Sequence, residues 1–130
     1  MFEDNMQELK DGVKLLVEVC HGAAAAVAGG WWSDVETGKR KDRNKGEQLM
    51  LMVSEIAEAM EGERKNLMDS HLPHRKAAEV ELADAVIRIA DYCGAYGYDL
   101  GGAIIEKMKY NANRADHKIE NRLKDGGKQF

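Results

Sequence analysis

The feature that most constrains this chain is a pair of acidic motifs set inside two apolar segments with helical spacing. Glu55 and Glu58 are three residues apart in the first segment, and Glu81 and Asp84 are three apart in the second. Residues at i and i+3 are neighbours on a helix surface, so each pair occupies one helix face. Two carboxylates about 4 Å apart repel by roughly 4 kcal/mol at an effective dielectric constant near 20. Such pairs among apolar residues therefore call for a cation.

Helical periodicity extends over four stretches, at about 5–28, 44–64, 74–94 and 100–123. No alternating pattern typical of a strand exceeds four residues. We therefore expect an all-α, four- to five-helix bundle that forms a single domain over residues 1–130. The second and third helices have apolar residues over a broad arc, which predicts burial on more than one side.

Composition narrows the possible partners and the cellular location. The formal net charge is −4, with acidic and basic residues interspersed, which argues against a nucleic-acid-binding protein. No apolar run approaches the length of a membrane span, and the acidic start of the chain is unlike a signal peptide. Cys20 and Cys93 are far apart in the sequence, so reduced thiols and a cytoplasmic location are expected.

The longest irregular segment lies between the first two helices and contains Trp31 and Trp32, followed by the charged run 39–45. One interpretation is that one tryptophan anchors the core and the other covers it. The other is that one indole forms a wall for a flat ligand such as a nucleobase. The charged run is equally compatible with a solvated connector and with a segment that reaches phosphates. For His21, a hydrogen-bonded or partly exposed side chain is favoured over a catalytic one.

The type of acidic ligand indicates which cation to expect. Carboxylates without cysteine or clustered histidine favour a hard ion, Mg²⁺ with Mn²⁺ as a possible substitute, over zinc. On the fourth helix, Lys107, Asn111 and Arg114 lie at i, i+4 and i+7 on one face, where they could donate hydrogen bonds to phosphates. Pairing of the carboxylates with Lys or Arg from neighbouring helices is the alternative, and spacing alone does not decide between them.

The combined motifs resemble those of the MazG-like, all-α nucleoside triphosphate pyrophosphohydrolases. The similarity covers about residues 44–117 and rests on Ser54-Glu55-Ile56-Ala57-Glu58, on Glu81-Leu82-Ala83-Asp84 after about twenty residues, and on Lys107 to Arg114. These correspond to the family's EExxE, ExxD and KxxxNxxR patterns.

The resemblance implies a Mg²⁺-dependent enzyme that hydrolyses a (deoxy)nucleoside triphosphate to the monophosphate and pyrophosphate. Water attacks the α-phosphorus, and the acidic residues of both motifs, here Glu55, Glu58, Glu81 and Asp84, bind the ions. The implied role is nucleotide-pool cleansing or adjustment, as in small stand-alone bacterial or phage members, with the host cytoplasm as the location for a phage protein. Homodimers or dimer-of-dimers tetramers are also implied.

One position departs from the family pattern, and the base-binding residues are the least determined. Ser54 replaces the first glutamate of the first motif, so one expected carboxylate is missing. Three outcomes are open: the ion is bound more weakly, Glu61 or Asp91 compensates, or a water takes the place of the missing ligand. The resemblance places base contacts at the segment before the second helix, for which the candidates are Trp31, Trp32, Asn44 and Glu47. The alternatives are a related dUTP or dCTP diphosphatase and a non-catalytic helical bundle that binds a partner.

Overall fold

The computed structural model describes residues 2–27, 31–114, 119–124 and 126–127, with side chains omitted for residues 2, 3, 27, 121 and 122. The described elements are a short 3₁₀ helix and five α-helices: Phe2–Asn5, then α1 (Met6–Val27), α2 (Lys45–Lys65), α3 (Ala77–Tyr96), α4 (Leu100–Asn113) and α5 (Ile119–Arg122). Across these ranges there is no strand, and pairing is limited to isolated bridges between Ser33 and Arg40 and between Met68 and Lys76. The all-α prediction is confirmed.

The chain forms two compact units. The larger, Leu15–Tyr98, contains α2, α3 and the second part of α1; the smaller comprises Met1–Lys14 and Asp99–Phe130. The expectation of a single domain stays a prediction. None of the helices that the structure describes is both long and apolar enough to cross a membrane.

The start and end of α2 follow from local hydrogen bonds. The Asn44 side-chain oxygen accepts from the backbone N–H of Glu47 at 2.9 Å, which caps the first turn as asparagine commonly does. At the other end Asn66 adopts a left-handed conformation with φ of 51°, and Arg64 and Lys65 complement the negative end of the helix dipole. The helix ends one residue beyond the predicted boundary.

The start of α3 is set by the loop that precedes it. Asp69, which is buried, accepts hydrogen bonds from the backbone N–H groups of His71 and Leu72 at 3.0 and 2.8 Å. Its carboxylate thereby fixes a turn, and the helix begins later, at Ala77 after the N-cap Lys76. The prediction of a helix start near residue 74 was therefore three residues early. The predicted first helix matches α1 to within a residue at its start, and residue 28 lies outside the described residues.

In the smaller unit, Asp99 caps α4 by accepting from Gly102 N–H at 3.0 Å. Gly101 allows α4 to approach α1 closely, since a methyl group there would lie 2.9 Å from the carbonyl oxygen of Lys10. The prediction of one helix over 100–123 is wrong. Arg114 is extended, with φ of −68° and ψ of 134°, so the helical hydrogen bonding stops at Asn113.

An α2–α3 hairpin forms the structural frame of the larger unit. Gly62 near the end of α2 lies against the start of α3, where a methyl group on it would be 3.0 Å from Ala77 Cβ. Seven residues earlier on α2, Glu55 accepts a hydrogen bond from Arg88 at 3.2 Å. The later residue of α2, Gly62, thus contacts the start of α3, and the earlier residue, Glu55, contacts Arg88 farther along α3. The two helices are therefore antiparallel.

A single chain covers only one side of α2. Met52 and Ala59 are buried, whereas a stripe of larger apolar side chains is 46 to 62% exposed: Leu49, Met50, Val53, Ile56 and Met60. Burial on more than one side, as predicted for α2, is not achieved within one chain. The exposed stripe is the second apolar side that the sequence pattern indicated.

Candidate metal centre and adjoining cavity

Three carboxylates converge in the α2–α3 hairpin. One oxygen each from Glu55, Glu81 and Asp84 lies within 4.8 Å of the others; Glu55 and Glu81 are half-buried and Asp84 is exposed. The antiparallel packing produces this cluster because it sets the acidic face of α2 against that of α3. Three of the four predicted metal ligands are thus brought together. Glu58 is exposed, lies one turn along α2, and is not one of the three.

The proximity of these carboxylates changes their protonation. The pKa of Glu81 is raised to about 7, first by its hydrogen bond with Glu55, then by desolvation and by the charges of Glu55, Asp84 and Glu58. The pKa of Asp84 is also raised, mainly by desolvation and then by the charge of Glu55. In the absence of a cation, a proton held between Glu55 and Glu81 relieves the repulsion. The donor set contains only carboxylate oxygens, which suits Mg²⁺ or Mn²⁺.

Arg88 is the cation that the protein itself provides at this cluster. Its Nε donates to Glu55 Oε1 at 3.2 Å, and its charge opposes the upward shift in the pKa of Asp84. Arg88 lies seven residues after Glu81, on the same face of α3, and had no predicted role. One guanidinium faces three carboxylates, so Arg88 only partly neutralises the cluster.

A cavity of about 320 Å³ adjoins the cluster within the larger unit. Its lining combines acidic, aromatic and apolar side chains: Ala24, Trp31, Gln48, Met52, Glu55, Asp84, Ile87, Arg88 and Asp91. Gln48 and Glu55 are seven residues apart on α2, as are Asp84 and Asp91 on α3, which corresponds to about 10 Å along a helix. The cavity therefore has an acidic end, at Glu55 and Asp84, and a second end at Gln48 and Asp91.

Asp91 organises the second end of the cavity. This carboxylate is 6% exposed and accepts from the indole N–H of Trp32 at 2.9 Å to each oxygen and from that of Trp31 at 3.1 Å. His21 Nδ1 lies 2.8 Å from Asp91 Oδ1. A buried carboxylate is tolerated when its oxygens are hydrogen-bonded in this way. Asp91 is thus engaged by three side chains of the core, whereas it was predicted as an auxiliary carboxylate for the metal site.

The two adjacent tryptophans have different environments. Trp32 is 4% exposed and packs in the core, whereas Trp31 is partly exposed and lines the cavity. Arg43 holds Trp31 in place, since its guanidinium carbon lies 4.0 Å from the ring centroid and its Nη1 donates to the Trp31 carbonyl at 2.7 Å. The structure therefore has one core tryptophan, as the first interpretation expected. The other indole, Trp31, lines the cavity, with the Arg88 guanidinium carbon 5.5 Å from its ring centroid; its contact with a nucleobase stays a prediction.

The remaining candidates of the larger unit lie apart from the cavity. Asn44 and Glu47 are exposed, and the Asn44 side chain is engaged in capping α2. Glu61 pairs with Lys65 at 2.8 Å and with Arg64 at 3.7 Å. None of the three is among the cavity-lining residues. Their predicted base-binding and auxiliary roles stay predictions without support from this geometry.

The three predicted phosphate-binding residues belong to α4 in the smaller unit. Lys107 and Asn111 line a separate cavity of about 370 Å³, and the buried Asn111 Oδ1 has no hydrogen-bond partner among the described residues. The guanidinium carbon of Arg114 and the amine of Lys107 lie 5.8 and 4.7 Å from the Tyr110 ring centroid. Their shared helix face is confirmed for Lys107 and Asn111; phosphate binding stays a prediction.

Sequence reasoning missed Gln48, which is buried and lines the cavity. The available signal was spacing, because Gln48, Met52 and Glu55 lie at i, i+4 and i+7, on one helix face. A polar residue on the same face as a predicted metal ligand is a candidate for the same site.

Comparison with known proteins identifies no relative: no protein-family model, curated protein or solved structure gives a significant match to the chain. The class of the protein therefore rests on the site itself.

Proposed function

We propose that this protein is a Mg²⁺-dependent nucleoside triphosphate pyrophosphohydrolase of the MazG-like class. The observation that carries the proposal is the convergence of Glu55, Glu81 and Asp84 beside a cavity that is also lined by an indole, Trp31. This arrangement suits a ligand with an anionic, metal-associated part and a flat ring. A nucleoside triphosphate has both. Nucleotide-pool cleansing or adjustment in the cytoplasm is the corresponding role.

In this proposal Glu55, Glu81 and Asp84 hold the ion, with Glu58 adding negative charge from one turn away. When bound, Mg²⁺ or Mn²⁺ withdraws charge from phosphate oxygens. Glu81 gives up its proton when the cation is bound, because the cation replaces the proton as the counter-charge. Arg88 lines the same cavity and offers N–H donors to an anionic ligand.

The hydrolysis itself forms one bond and breaks one. Water adds to the α-phosphorus, the bond from that phosphorus to the oxygen bridging toward the β-phosphate breaks, and pyrophosphate leaves. The proton lost by the water requires an acceptor, and the carboxylates of the cluster supply basic oxygens at the acidic end of the cavity.

We further propose that the protein is a homo-oligomer, a dimer or a dimer of dimers. The exposed stripe of α2 supports this, since Leu49, Val53, Ile56 and Met60 are spaced to form one continuous apolar face and each is about half exposed. On α3, Leu82, Val86 and Ile87 are exposed to a similar degree. Apolar faces of this kind usually mark a protein interface.

The test is a hydrolysis assay on the purified chain with Mg²⁺ and a panel of ribo- and deoxyribonucleoside triphosphates. Pyrophosphate is the expected product, without release of orthophosphate. Glu81→Gln is expected to reduce turnover at least about a hundredfold, because it removes a ligand charge at the centre of the cluster. The resemblance to the MazG-like motif also predicts that Glu58→Gln abolishes turnover while the helical fold is preserved, although Glu58 lies outside the three-carboxylate cluster.

The matched control is Glu63→Gln, the same chemical change at an exposed position of α2 outside the cavity lining. It is expected to retain full turnover. Failure of the wild-type chain with every nucleotide, in both Mg²⁺ and Mn²⁺, would overturn the proposal.

One observation favours the non-catalytic alternative, a helical protein that binds a partner. The Arg88–Glu55 pair shows that an internal cation already meets part of the demand for positive charge. On that alternative Mg²⁺ has no native site and does not raise the melting temperature. Thermal denaturation with and without Mg²⁺ therefore separates the two functions.

A further inference from the structure

Gln48 lies at the second end of the cavity, near Asp91, and its side-chain amide has a fixed orientation. It is 5% exposed and lines the cavity. In the orientation in which the amide oxygen of Gln48 faces Arg43, that oxygen accepts from Arg43 Nε at 2.7 Å and from Arg43 Nη2 at 2.8 Å. An amide oxygen has two lone-pair sites, and Arg43 occupies both. Gln48 can therefore offer a ligand only the N–H donors of its amide.

The neighbouring carboxylate at this end offers no free acceptor to balance those donors. Asp91 has four hydrogen-bond contacts: two from Trp32, one from Trp31 and one with His21. The single indole N–H of Trp32 is shared between both oxygens, so three ring nitrogens supply the four contacts and each carboxylate oxygen has two of them. The polar character that this end presents to a ligand is thus that of a donor.

The direction of a bound nucleotide follows from the two ends of the cavity. In the proposed function the phosphates lie at Glu55 and Asp84, and Gln48 is about 10 Å away along α2. The base then extends toward Gln48, and the edge of the base that is farthest from the sugar faces this residue. That edge has the C4 substituent of a pyrimidine or the C6 substituent of a purine. The substituent is a carbonyl oxygen in uracil, thymine, guanine and hypoxanthine, and an amino group in cytosine and adenine.

We propose that Gln48, oriented by Arg43, is a specificity-determining residue that selects nucleobases with a carbonyl oxygen at this distal edge. The proposal rests on the proposed function and names the substrate class of the same cavity. A base with an amino group at this edge would place its N–H donors against the N–H donors of Gln48, and both buried groups would lack an acceptor. Such a base is therefore bound much more weakly than one with a carbonyl oxygen.

The experiment compares matched nucleotide pairs that differ at this edge, dUTP with dCTP and dITP with dATP. For the wild-type chain, kcat/KM is expected to be at least about tenfold higher for the carbonyl member of each pair. Gln48→Glu retains an oxygen partner for Arg43 and replaces the donors by an acceptor, so the preference is expected to disappear or invert. Gln48→Met removes the donors without adding an acceptor, so the ratio of kcat/KM between the carbonyl and amino members of each pair should fall toward one.

Affinities for the same four nucleotides are measured by calorimetry in Ca²⁺ as a readout independent of turnover, and melting curves verify that each variant folds. Turnover without a carbonyl preference in either pair would overturn the role of Gln48 and leave the pyrophosphohydrolase proposal intact. An equal fall in kcat/KM for all four nucleotides in both variants would also overturn the role of Gln48 and leave the pyrophosphohydrolase proposal intact. Absence of both turnover and binding in the wild-type chain would overturn both proposals.

Discussion

Glu55 on α2 and Glu81 on α3 have carboxylate oxygens within 4.8 Å of each other, and their hydrogen bond is the largest cause of the raised pKa of Glu81. A hydrogen bond between two carboxyl groups needs a proton, and in the absence of a cation Glu81, whose pKa is about 7, holds that proton below this pH. The same proximity that favours this proton favours a divalent ion. Competition between proton and metal at this pair gives the first two predictions.

Mg²⁺ is expected to raise the melting temperature of the wild-type chain. An ion that binds only the folded state stabilises it by about 2.7 kcal/mol at a hundred times its Kd, which corresponds to a few degrees for a chain of this size. The rise should be larger at pH 8 than at pH 6, because the proton on Glu81 competes with the ion. Differential scanning fluorimetry measures this. Glu81→Gln should remove the Mg²⁺ response and Glu63→Gln should retain it; an equal response in both variants would place the ion elsewhere.

Without metal, stability is expected to fall as the pH rises from about 4.5 to about 7. The pKa of Glu81 is higher in the folded state, about 7, than the ordinary 4.5, so the folded state binds the extra proton in this window. The stabilisation from Glu81 is therefore fully present below pH 4.5 and is lost as the pH passes 7. Allowing for solvent screening of a half-buried group, the change is about 1 kcal/mol. Urea denaturation across this pH range measures it, and a wild-type slope retained in Glu81→Gln would contradict the assignment.

Asp91→Asn is expected to destabilise the chain by about 1–3 kcal/mol. The amide retains one acceptor oxygen and places an N–H₂ group against the indole and imidazole donors, so buried donors lose their partner. Tryptophan emission should shift to the red as Trp31 becomes more solvated. The control is Asp84→Asn, at the exposed member of the acidic cluster, which should leave stability equal or higher. Unchanged emission in Asp91→Asn would show that the carboxylate does not hold Trp31.

Gly94→Ala is expected to destabilise the chain by about 1–3 kcal/mol, since overpacking displaces a neighbouring side chain. A methyl group at Gly94 would lie 2.5 Å from Cβ and 2.9 Å from Cγ of His21 on α1. Gly22→Ala makes the same change inside a helix with no neighbouring atom within 4 Å. It should be neutral or stabilising by about 0.5–1 kcal/mol, because alanine favours the helix. Chemical denaturation of both variants compares them, and equal effects would contradict the close packing of His21 on Gly94.

Ile56→Lys is expected to reduce the oligomeric state if the exposed stripe of α2 is an interface. Ile56 is 50% exposed within one chain, so the charge is tolerated in the monomer but opposed in a buried apolar interface. Light scattering coupled to size-exclusion chromatography gives the mass. Ser54→Lys adds a lysine at an exposed α2 position two residues from Ile56, on the opposite side of the helix, and should leave the mass unchanged. A wild-type chain that is monomeric at micromolar concentration would contradict the homo-oligomer.

Much of the fold followed from local sequence rules. The all-α class and the starts of α1, α2 and α4 depend on periodicity and on hydrogen bonds between neighbouring residues. The two local errors have local causes. The carboxylate of Asp69 holds a turn that delays α3, and the extended conformation of Arg114 ends α4 early. The spacing of apolar residues carries no information about the hydrogen bonds of Asp69 or the backbone angles of Arg114.

The candidate site depended more on tertiary structure. The i, i+3 spacing placed Glu55 with Glu58 and Glu81 with Asp84 because helix geometry is fixed by the backbone. Only the packing of α2 against α3 joined Glu55, Glu81 and Asp84 and left Glu58 at the side. The loop that precedes α2 brings the two indoles to Asp91, and the α2–α3 packing gives Gln48 its place in the cavity. The sequence determines which face of each helix is acidic, whereas the partner of each face is decided by contacts between residues far apart in the chain, which no local pattern encodes.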